Sequence, residues 1–282
     1  LAFSLLLGLA LSTAQASTRM EIITPQAPGG DTDLCARVLA QYLSDELKQP
    51  VQVENFIGGH GIYGTDAYRE KAQSDGWTLL FTNTDVLILN QLSGLCDYGI
   101  DDFTVVAALG RQKGENLVVR GDSPYHSIKM LFDAARDNPG TINLGMTMGG
   151  LSYLLSQILE QKHDIHFNLS DCGDATGRLN ALLDGRVDAA VISYPLISQH
   201  LASGKLRALA TLLPTHLLEA SSIPTLKASG YPNAFFETYY VLLAPKDTPQ
   251  EIVQKLSQIL ARLERRDDFK RAYCAYTLDY FT

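Results

Sequence analysis

The chain has 282 residues, 46% of them apolar and 19% charged, which is the composition of a globular protein with room for one large or two medium domains. Its formal net charge is −8 and no long basic run appears. That balance argues against nucleic acid or an anionic membrane surface as a partner, but not against an anion site made from backbone dipoles.

Residues 1–16 read LAFSLLLGLALSTAQA. An uncharged apolar core at 5–11 precedes Ala14-Gln15-Ala16, a small-x-small cleavage pattern, and the run is too short for a comfortable transmembrane helix. It reads as a secretory signal peptide cut near Ala16, entered part-way because the initiating Met and a basic n-region are missing. No other stretch is long and apolar enough to span a bilayer, so an exported, periplasmic mature chain is expected.

The chain then opens on IITPQAPGGDTDLCAR at 22–37. A short apolar strand meets a turn with Pro25, Pro28, Gly29 and Gly30. After Asp31-Thr32-Asp33, apolar residues Leu34, Val38, Leu39, Tyr42, Leu43 and Leu47 recur at helical spacing. Asp or Thr can cap the helix. A strand, a glycine turn and a helix start aim backbone N–H groups and a positive helix end at one point, where a carboxylate or phosphate fits. Such turns occur in every α/β protein and most bind nothing, so this one alone is a weak signal.

A second strand at 51–55 leads to Gly58-Gly59-His60-Gly61-Ile62-Tyr63-Gly64 and a helix to about Ala72. Gly59, Gly61 and Gly64 form a literal G-x-G-x-x-G, and Asp85 follows about twenty residues on, as in a dinucleotide fingerprint with its ribose carboxylate. Two features weigh against that reading: the motif follows the second strand, and free NAD is a cytoplasmic cofactor. A strand at 78–82 ends at Asn83, Thr84 and Asp85, where α/β sheets place ligand contacts. Strands at 105–109 and 116–120 are interrupted by Gly121-Asp122-Ser123-Pro124.

The middle third restarts the pattern. A helix at 127–136 and a strand at 141–145 precede the turn Met146-Thr147-Met148-Gly149-Gly150-Leu151-Ser152 and a helix to Leu159. A strand at 165–169 and the turn from Asp171 to Thr176 precede a helix to Leu183, with strands at 187–193 and 206–211 beyond. The last third holds a strand at 239–244, a long amphipathic helix after Thr248-Pro249, and a tail from Tyr273 that reads as extended. Cys35, Cys96, Cys172 and Cys274 could pair in an oxidising compartment, in three full connectivities, or Cys35 could be buried packing. Neither they nor His163-x-x-His166 have the spacing of a metal site. Two similar α/β halves with glycine turns in both suggest a protein that closes on a small solute.

Many short motifs fall in one order: Pro28-Gly29-Gly30 with Asp33 and Arg37, Val53-Glu54-Asn55 before the glycine motif, Asp75-Gly76-Trp77-Thr78-Leu79, Asp122-Ser123-Pro124, Asn138-Pro139-Gly140, Gly149-Gly150, Gly185-x-Val187-Asp188, Ile223-Pro224-Thr225-Leu226, Gly230-Tyr231-Pro232, and Ala244-Pro245 ahead of Thr248-Pro249. Over roughly residues 20–272 the chain resembles the tripartite tricarboxylate transporter substrate-binding family, the Bug receptors. The resemblance implies a periplasmic, type II-like solute-binding protein of α/β class, with two lobes and a hinged cleft. It implies a monomer with no cofactor and no metal, and a small carboxylate ligand handed to membrane permease subunits. The ligand classes implied are di- and tricarboxylates, acidic amino acids and aromatic acids.

Carried over by position, lobe 1 is 17–120 with 237–282 and lobe 2 is 121–236, with crossovers near Arg120 and Glu237. Ligand contacts are expected from Ala27, Pro28, Gly29, Gly30, Asp31, Thr32 and Asp33, from Gly59, His60, Gly61, Ile62 and Tyr63, and from Asn83 and Thr84. The opposite lobe would offer Thr147, Gly149, Gly150 and Ser152, with Asp171 and Asp174. Those two acids depart from the family pattern, which has a Tyr and a basic or polar residue nearby. Facing the cleft, either would disfavour a second ligand carboxylate and suit an ammonium or hydroxyl; the favoured expectation is that both cap the following helix. His60 is also unusual and could bring pH dependence. The resemblance implies a further C-terminal element after Tyr273. Two other function classes stay open: a secreted enzyme, for which no nucleophile–base pair stands out and Ser152 is a candidate by default, and a dinucleotide-dependent oxidoreductase using the Gly59–Gly64 turn.

Overall fold

The computed structural model describes residues 19–279, so the signal-peptide reading lies outside the described residues. The first lobe opens with β1 (Met20–Thr24), α1 (Asp31–Leu47), β2 (Val51–Asn55), α2 (Ile62–Lys71), β3 (Thr78–Asn83), α3 (Thr84–Leu92) and β4 (Phe103–Arg111). The second holds β5 (Glu115–Arg120), α4 (Ile128–Asp137), β6 (Asn143–Met146), α5 (Leu151–His163), β7 (Asn168–Asp171), α6 (Ala175–Leu183), β8 (Ala189–Ser193), α7 (Tyr194–Ala202) and β9 (Leu206–Thr211). The chain then returns through β10 (Tyr239–Pro245), α8 (Gln250–Glu264) and α9 (Asp267–Tyr273).

Both lobes follow one plan. The first sheet has the order β2-β1-β3-β10-β4 and the second β7-β6-β8-β5-β9. In each, three strands run parallel, and a strand entering from the other lobe (β10, β5) joins them antiparallel. Parallel strands need helical crossovers, so both faces are covered and the strands read as continuous apolar runs. Period-two alternation divides each run between two cores. Leu79 and Phe81 of β3 pack with Leu39 and Leu43 of α1, Leu260 of α8 and Phe269 of α9. Leu80 between them packs with Tyr68 of α2 and Leu87 of α3. In the second sheet Val191 faces the α4–α5 side and Ala190 and Ile192 the α6–α7 side.

The first crossover is not near Arg120. β5 pairs with β8 and β9, so residues 115–120 lie inside the second sheet and the chain changes sheets at 112–114. The glycine- and proline-bearing break at 121–124 is a turn within that lobe, whereas Gln112-Lys113-Gly114 carries one glycine and no proline, and so leaves little trace between two apolar runs. The return crosses at 236–238: the Phe236 N–H bonds Leu212 O in the second lobe, and the Gln112 N–H bonds Thr238 O, pairing the two crossing segments.

Two helices interrupt segments without an amphipathic pattern. In α3, Val86 and Leu87 are buried while Ile88 and Leu92 are exposed, so apolar residues encircle it. α7 is short and has Pro195 in its first turn. Beyond Tyr273 the tail is turned rather than extended and lies against the end of β4: Thr277 bridges Gln112, the Leu278 N–H bonds Arg111 O, and Asp279 accepts from the Arg111 N–H at 3.0 Å and from its Nε at 2.8 Å. The four cysteines are free, and Cys35 is fully buried against the α1–β3 core.

Candidate functional site

The C-terminal ends of the parallel strands in both sheets carry the glycine turns. Three helices start there directly after a glycine and have no side-chain cap: α1 after Gly30, α2 after Gly61 and α5 after Gly150. By contrast α3, α4 and α6 are capped by Asn83, Ser127 and Asp174. First-turn N–H groups have no partner within a helix, so uncapped ends offer donors and dipole to an anion, although here the Thr32 N–H is taken by Asp31 Oδ1 at 3.1 Å and the Ile62 N–H by Gly59 O. Glycine is required at Gly61, which has φ of 87° and where a Cβ would fall 2.7 Å from Val86 Cγ1.

The first-lobe turns are braced by one carboxylate. Asp33 Oδ2 accepts from the Gly29 N–H at 2.9 Å and from Arg37 Nε at 2.9 Å, while its Oδ1 accepts from Asn55 Nδ2 at 2.8 Å. Asn55 also donates to Gln26 O at 2.9 Å. Burial pushes the Asp33 carboxyl up, but the bonds from Arg37, Gly29 and Asn55 outweigh it and hold the group below its ordinary range. Asp33 therefore fixes the 25–30 turn to the end of β2, and its carboxylate is committed to that brace.

The second-lobe turns are tied by Arg178 and Thr147. Arg178 is buried; its Nε donates to Val191 O at 2.6 Å and its Nη1 to Thr147 Oγ1, which in turn donates to Gly173 O. Ser152 Oγ accepts from the Thr147 N–H at 2.9 Å and is buried inside the turn, which removes it as a default nucleophile. Asp174 Oδ1 caps α6 through the Gly177 N–H at 2.8 Å. Asp171 does not cap that helix: its Oδ1 accepts from the Gly173 N–H at 3.0 Å and the Met148 N–H at 3.4 Å, closing the turns.

The lobes meet at His60. Asn90 clamps it, donating from Nδ2 to His60 O at 2.9 Å and leaving Asn90 Oδ1 3.0 Å from Nδ1, so that Nδ1 carries the proton and Nε2 is an acceptor. A Cβ built on Gly150 of the other lobe would lie 2.9 Å from that Nε2. Burial, with Arg178 nearby, pushes the imidazole pKa down, against the bond to Asn90 and the pull of Asp171. A cavity of about 320 Å³ lies beside it, lined by 25–27 and 57–61 of the first lobe and Gly173 and Asp174 of the second.

Of the expected contacts, Ala27, Gly59, His60, Gly61 and Asp174 line this cavity, Gly150 stands against His60, and Thr147 is bonded to the lining residue Gly173. Tyr63 is exposed with its ring against Gly58, outside the cavity lining. Asp31 is turned inward: its Oδ2 accepts from Gln112 Nε2 at 2.6 Å and Tyr240 Oη at 2.8 Å. Thr32 Oγ1 accepts from Asn83 Nδ2 at 3.4 Å, and Thr84 Oγ1 accepts from the Tyr239 N–H at 3.2 Å, so these polar groups knit the floor. The third glycine of the G-x-G-x-x-G is a packing residue, since a Cβ on Gly64 would lie 2.4 Å from Phe56 O. Asp85 is not presented to a ribose: it is buried at the head of α3 and accepts from Thr238 Oγ1 at 2.8 Å.

Arg178, Glu115 and Gln112 were not among the expected contacts. Arg178 had a legible signal, a charge three and four residues before buried Ala181 and Leu182, on the inner face of α6. Burial pushes Glu115 up to about 7, with Arg178 opposing and Asp31 and Asp85 reinforcing; burial likewise pushes Asp85 up to about 6, with Thr238 opposing and Asp31 reinforcing.

Two α/β lobes joined by paired crossovers, with uncapped helix ends facing each other, define a two-lobed binding protein. The model of the tripartite tricarboxylate transporter family receptor matches residues 35–281, and the chain belongs to that family of solute-binding receptors. It is 30% identical over 243 residues to protein BugT of Bordetella pertussis, covering 85% of this chain and 74% of that one. The solved periplasmic binding protein BugD superposes with a TM-score of 0.81 at 26% identity, covering 92% of this chain and 87% of that one. R. palustris Rpa4515 with adipate superposes with a TM-score of 0.79 at 25% identity, covering 91% and 86%. No helix among the described residues is long and apolar enough to cross a membrane.

Proposed function

We propose that this receptor works outside the cytoplasm, captures a small carboxylate in the cleft and delivers it to the permease of a tripartite tricarboxylate transporter. The observation that carries the reading is a cavity of about 320 Å³ between the lobes, lined by the 25–27 and 57–61 turns and by Gly173 and Asp174, with the uncapped start of α2 at Gly61 on its wall and the uncapped starts of α1 and α5 following neighbouring glycine turns. Backbone N–H groups at the starts of α1, α2 and α5 that the turns do not already engage hold the anion, with Asn83 and Thr84 behind them. The adipate seen in Rpa4515 supports the ligand class. The apolar stretch at 5–11 with its small-x-small site supports export. The crossings at 112–114 and 236–238 are the hinge, and ligand favours the closed arrangement.

Binding without turnover is the expected behaviour, because the polar groups facing the cleft are engaged in bracing rather than poised as nucleophile and base. A thermal-shift panel on stripped protein tests it, with citrate, succinate, malate, adipate, glutamate, aspartate, nicotinate and NAD. A ligand at a hundred times its Kd adds about 2.7 kcal/mol. Stabilisation by a carboxylate, with the ligand recovered unchanged, supports the reading. Stabilisation by NAD alone overturns it and returns the Gly59–Gly64 turn to a dinucleotide.

A further inference from the structure

The two crossings narrow to one free residue each. In the first, Gln112 belongs to the first lobe: its side chain donates to Asp31 Oδ2 at 2.6 Å, and its N–H bonds Thr238 O at 2.8 Å. Gly114 belongs to the second lobe, where its carbonyl accepts from the Tyr194 N–H at 3.1 Å. In the return, Phe236 is held by Leu212 O of the second lobe, while Thr238 is held by the first, donating to Asp85 Oδ2 at 2.8 Å. Lys113 and Glu237 lie between these anchors. Both are outside the strands, and among the described residues no backbone hydrogen bond joins either of them to a lobe. Such a residue is where the backbone turns at least cost when one lobe rotates against the other.

Both of these residues carry a charge, and each charge is paired to a different lobe. Lys113 is buried, at 4% exposed, and its Nζ bonds Glu219 Oε1 on the short turn Leu218–Ala220 of the second lobe. Glu237 Oε1 accepts from Nη1 of Arg111, at the end of β4 in the first lobe, at 2.7 Å. Arg111 is itself held by the tail, because Asp279 accepts from its N–H and its Nε. The guanidinium therefore meets Glu237 from a fixed position. A side chain swings with its own backbone, so rotation at 113 or 237 draws the charge there away from a partner fixed on a lobe. Both pairs are made while the lobes touch, with Gly150 against His60 and with Gly149 so near Leu95 that a Cβ would fall 2.9 Å from its Cδ1.

Resting on the reading that the lobes close on a small carboxylate, we propose that Lys113 and Glu237 are the pivots of closure and that their ion pairs, with Glu219 and Arg111, set the balance between the open and closed arrangements. The cavity lining includes none of the four, so they are positioning residues that act on affinity through the population of the closed state. The Arg111–Glu237 pair is about one-third exposed on both sides, which makes it modest and sensitive to salt. Loss of the Glu219 charge is the larger change, because it leaves the buried Lys113 cation without its partner until opening brings water to it.

The test uses Glu237→Gln and Glu219→Gln, which keep shape and lose charge away from the cleft. Small-angle scattering of stripped protein is paired with calorimetric titration, using whichever of citrate, succinate, malate and adipate compacts the wild type. Each variant is expected to have a larger ligand-free radius of gyration than wild type and a Kd raised at least about threefold, more so in Glu219→Gln. In 1 M salt the wild type should approach Glu237→Gln in both readings. A shift in either reading that salt erases supports the proposal. The two pairs are separate, so one variant suffices should the other fail to fold. Folded variants that match wild type in both readings, or a Glu237→Gln difference that survives 1 M salt, overturn the proposal and leave the receptor standing. If no carboxylate compacts the wild type, the receptor reading fails, and the ligand-free radii still decide the role of the pivots.

Discussion

His60 of the first lobe stands against Gly150 of the second, so closely that a Cβ on Gly150 would fall 2.9 Å from His60 Nε2. The imidazole cannot easily retreat, because Asn90 holds both its ring and its backbone carbonyl. Gly150 has φ of −90°, an ordinary conformation, so alanine there is opposed by the facing lobe and not by the backbone. Gly150→Ala is therefore expected to hold the lobes apart while leaving each folded. Affinity for the best ligand should fall at least about tenfold, roughly the loss of 1.4 kcal/mol. Small-angle scattering with ligand should give a larger radius of gyration than wild type, and an unchanged radius with unchanged Kd would refute the contact.

Asp33 is expected to matter for both stability and binding. Removing it frees the Gly29 N–H, Arg37 and Asn55 at once. Asp33→Ala should cost about 2–4 kcal/mol in urea unfolding and weaken binding, because the 25–30 turn loses its register on β2. The sign of its pH dependence follows from its depressed folded pKa. The stabilisation is present above the unfolded carboxylate value and is lost as pH falls through the folded one. Wild type should therefore lose its advantage over Asp33→Ala only in strong acid, below about pH 4; an advantage already gone at pH 6 would contradict the brace.

Glu115 and Asp85 give the opposite sign. Their folded values are raised, from 4.5 to about 7 and from 3.8 to about 6. Between the unfolded and folded values the native state binds more protons, so ligand-free stability is greatest below about pH 4 for these groups and declines as pH rises toward 7. The size is on the order of a few kcal/mol. His60, with its lowered pKa, opposes this trend on the acid side, so the comparison is between variants. The stability difference of Glu115→Gln minus wild type should grow in favour of the variant from pH 4.5 to 7.5. A flat difference would mean that Glu115 carries no buried charge.

The glycine turns and the doubled α/β plan were legible because strand, glycine and helix follow each other with clear periodicity: 22–37, 51–72 and 141–159 all read correctly as strand, turn and helix. The family resemblance rested on many such turns in one order. What stayed hidden depends on long-range pairing. Asp31 reads as a ligand residue beside a glycine turn, and only the fold brings Gln112 and Tyr240 to it from 81 and 209 residues away. Glu115 reads as the polar start of a strand, and its meaning comes from Arg178 on another element. The misplaced first crossover has the same cause: an apolar strand reads alike in either sheet, and pairing decides which it joins.

The most direct measurement is calorimetric titration of the stripped protein with the carboxylate panel, run on wild type and Gly150→Ala in parallel, with the ligand assayed afterwards. The expected result is one site per chain for a small carboxylate, at least about tenfold weaker binding in the variant, and ligand recovered chemically unchanged. Ligand consumed on the protein, or full-strength binding after Gly150→Ala, would contradict a receptor that closes its two lobes on the acid.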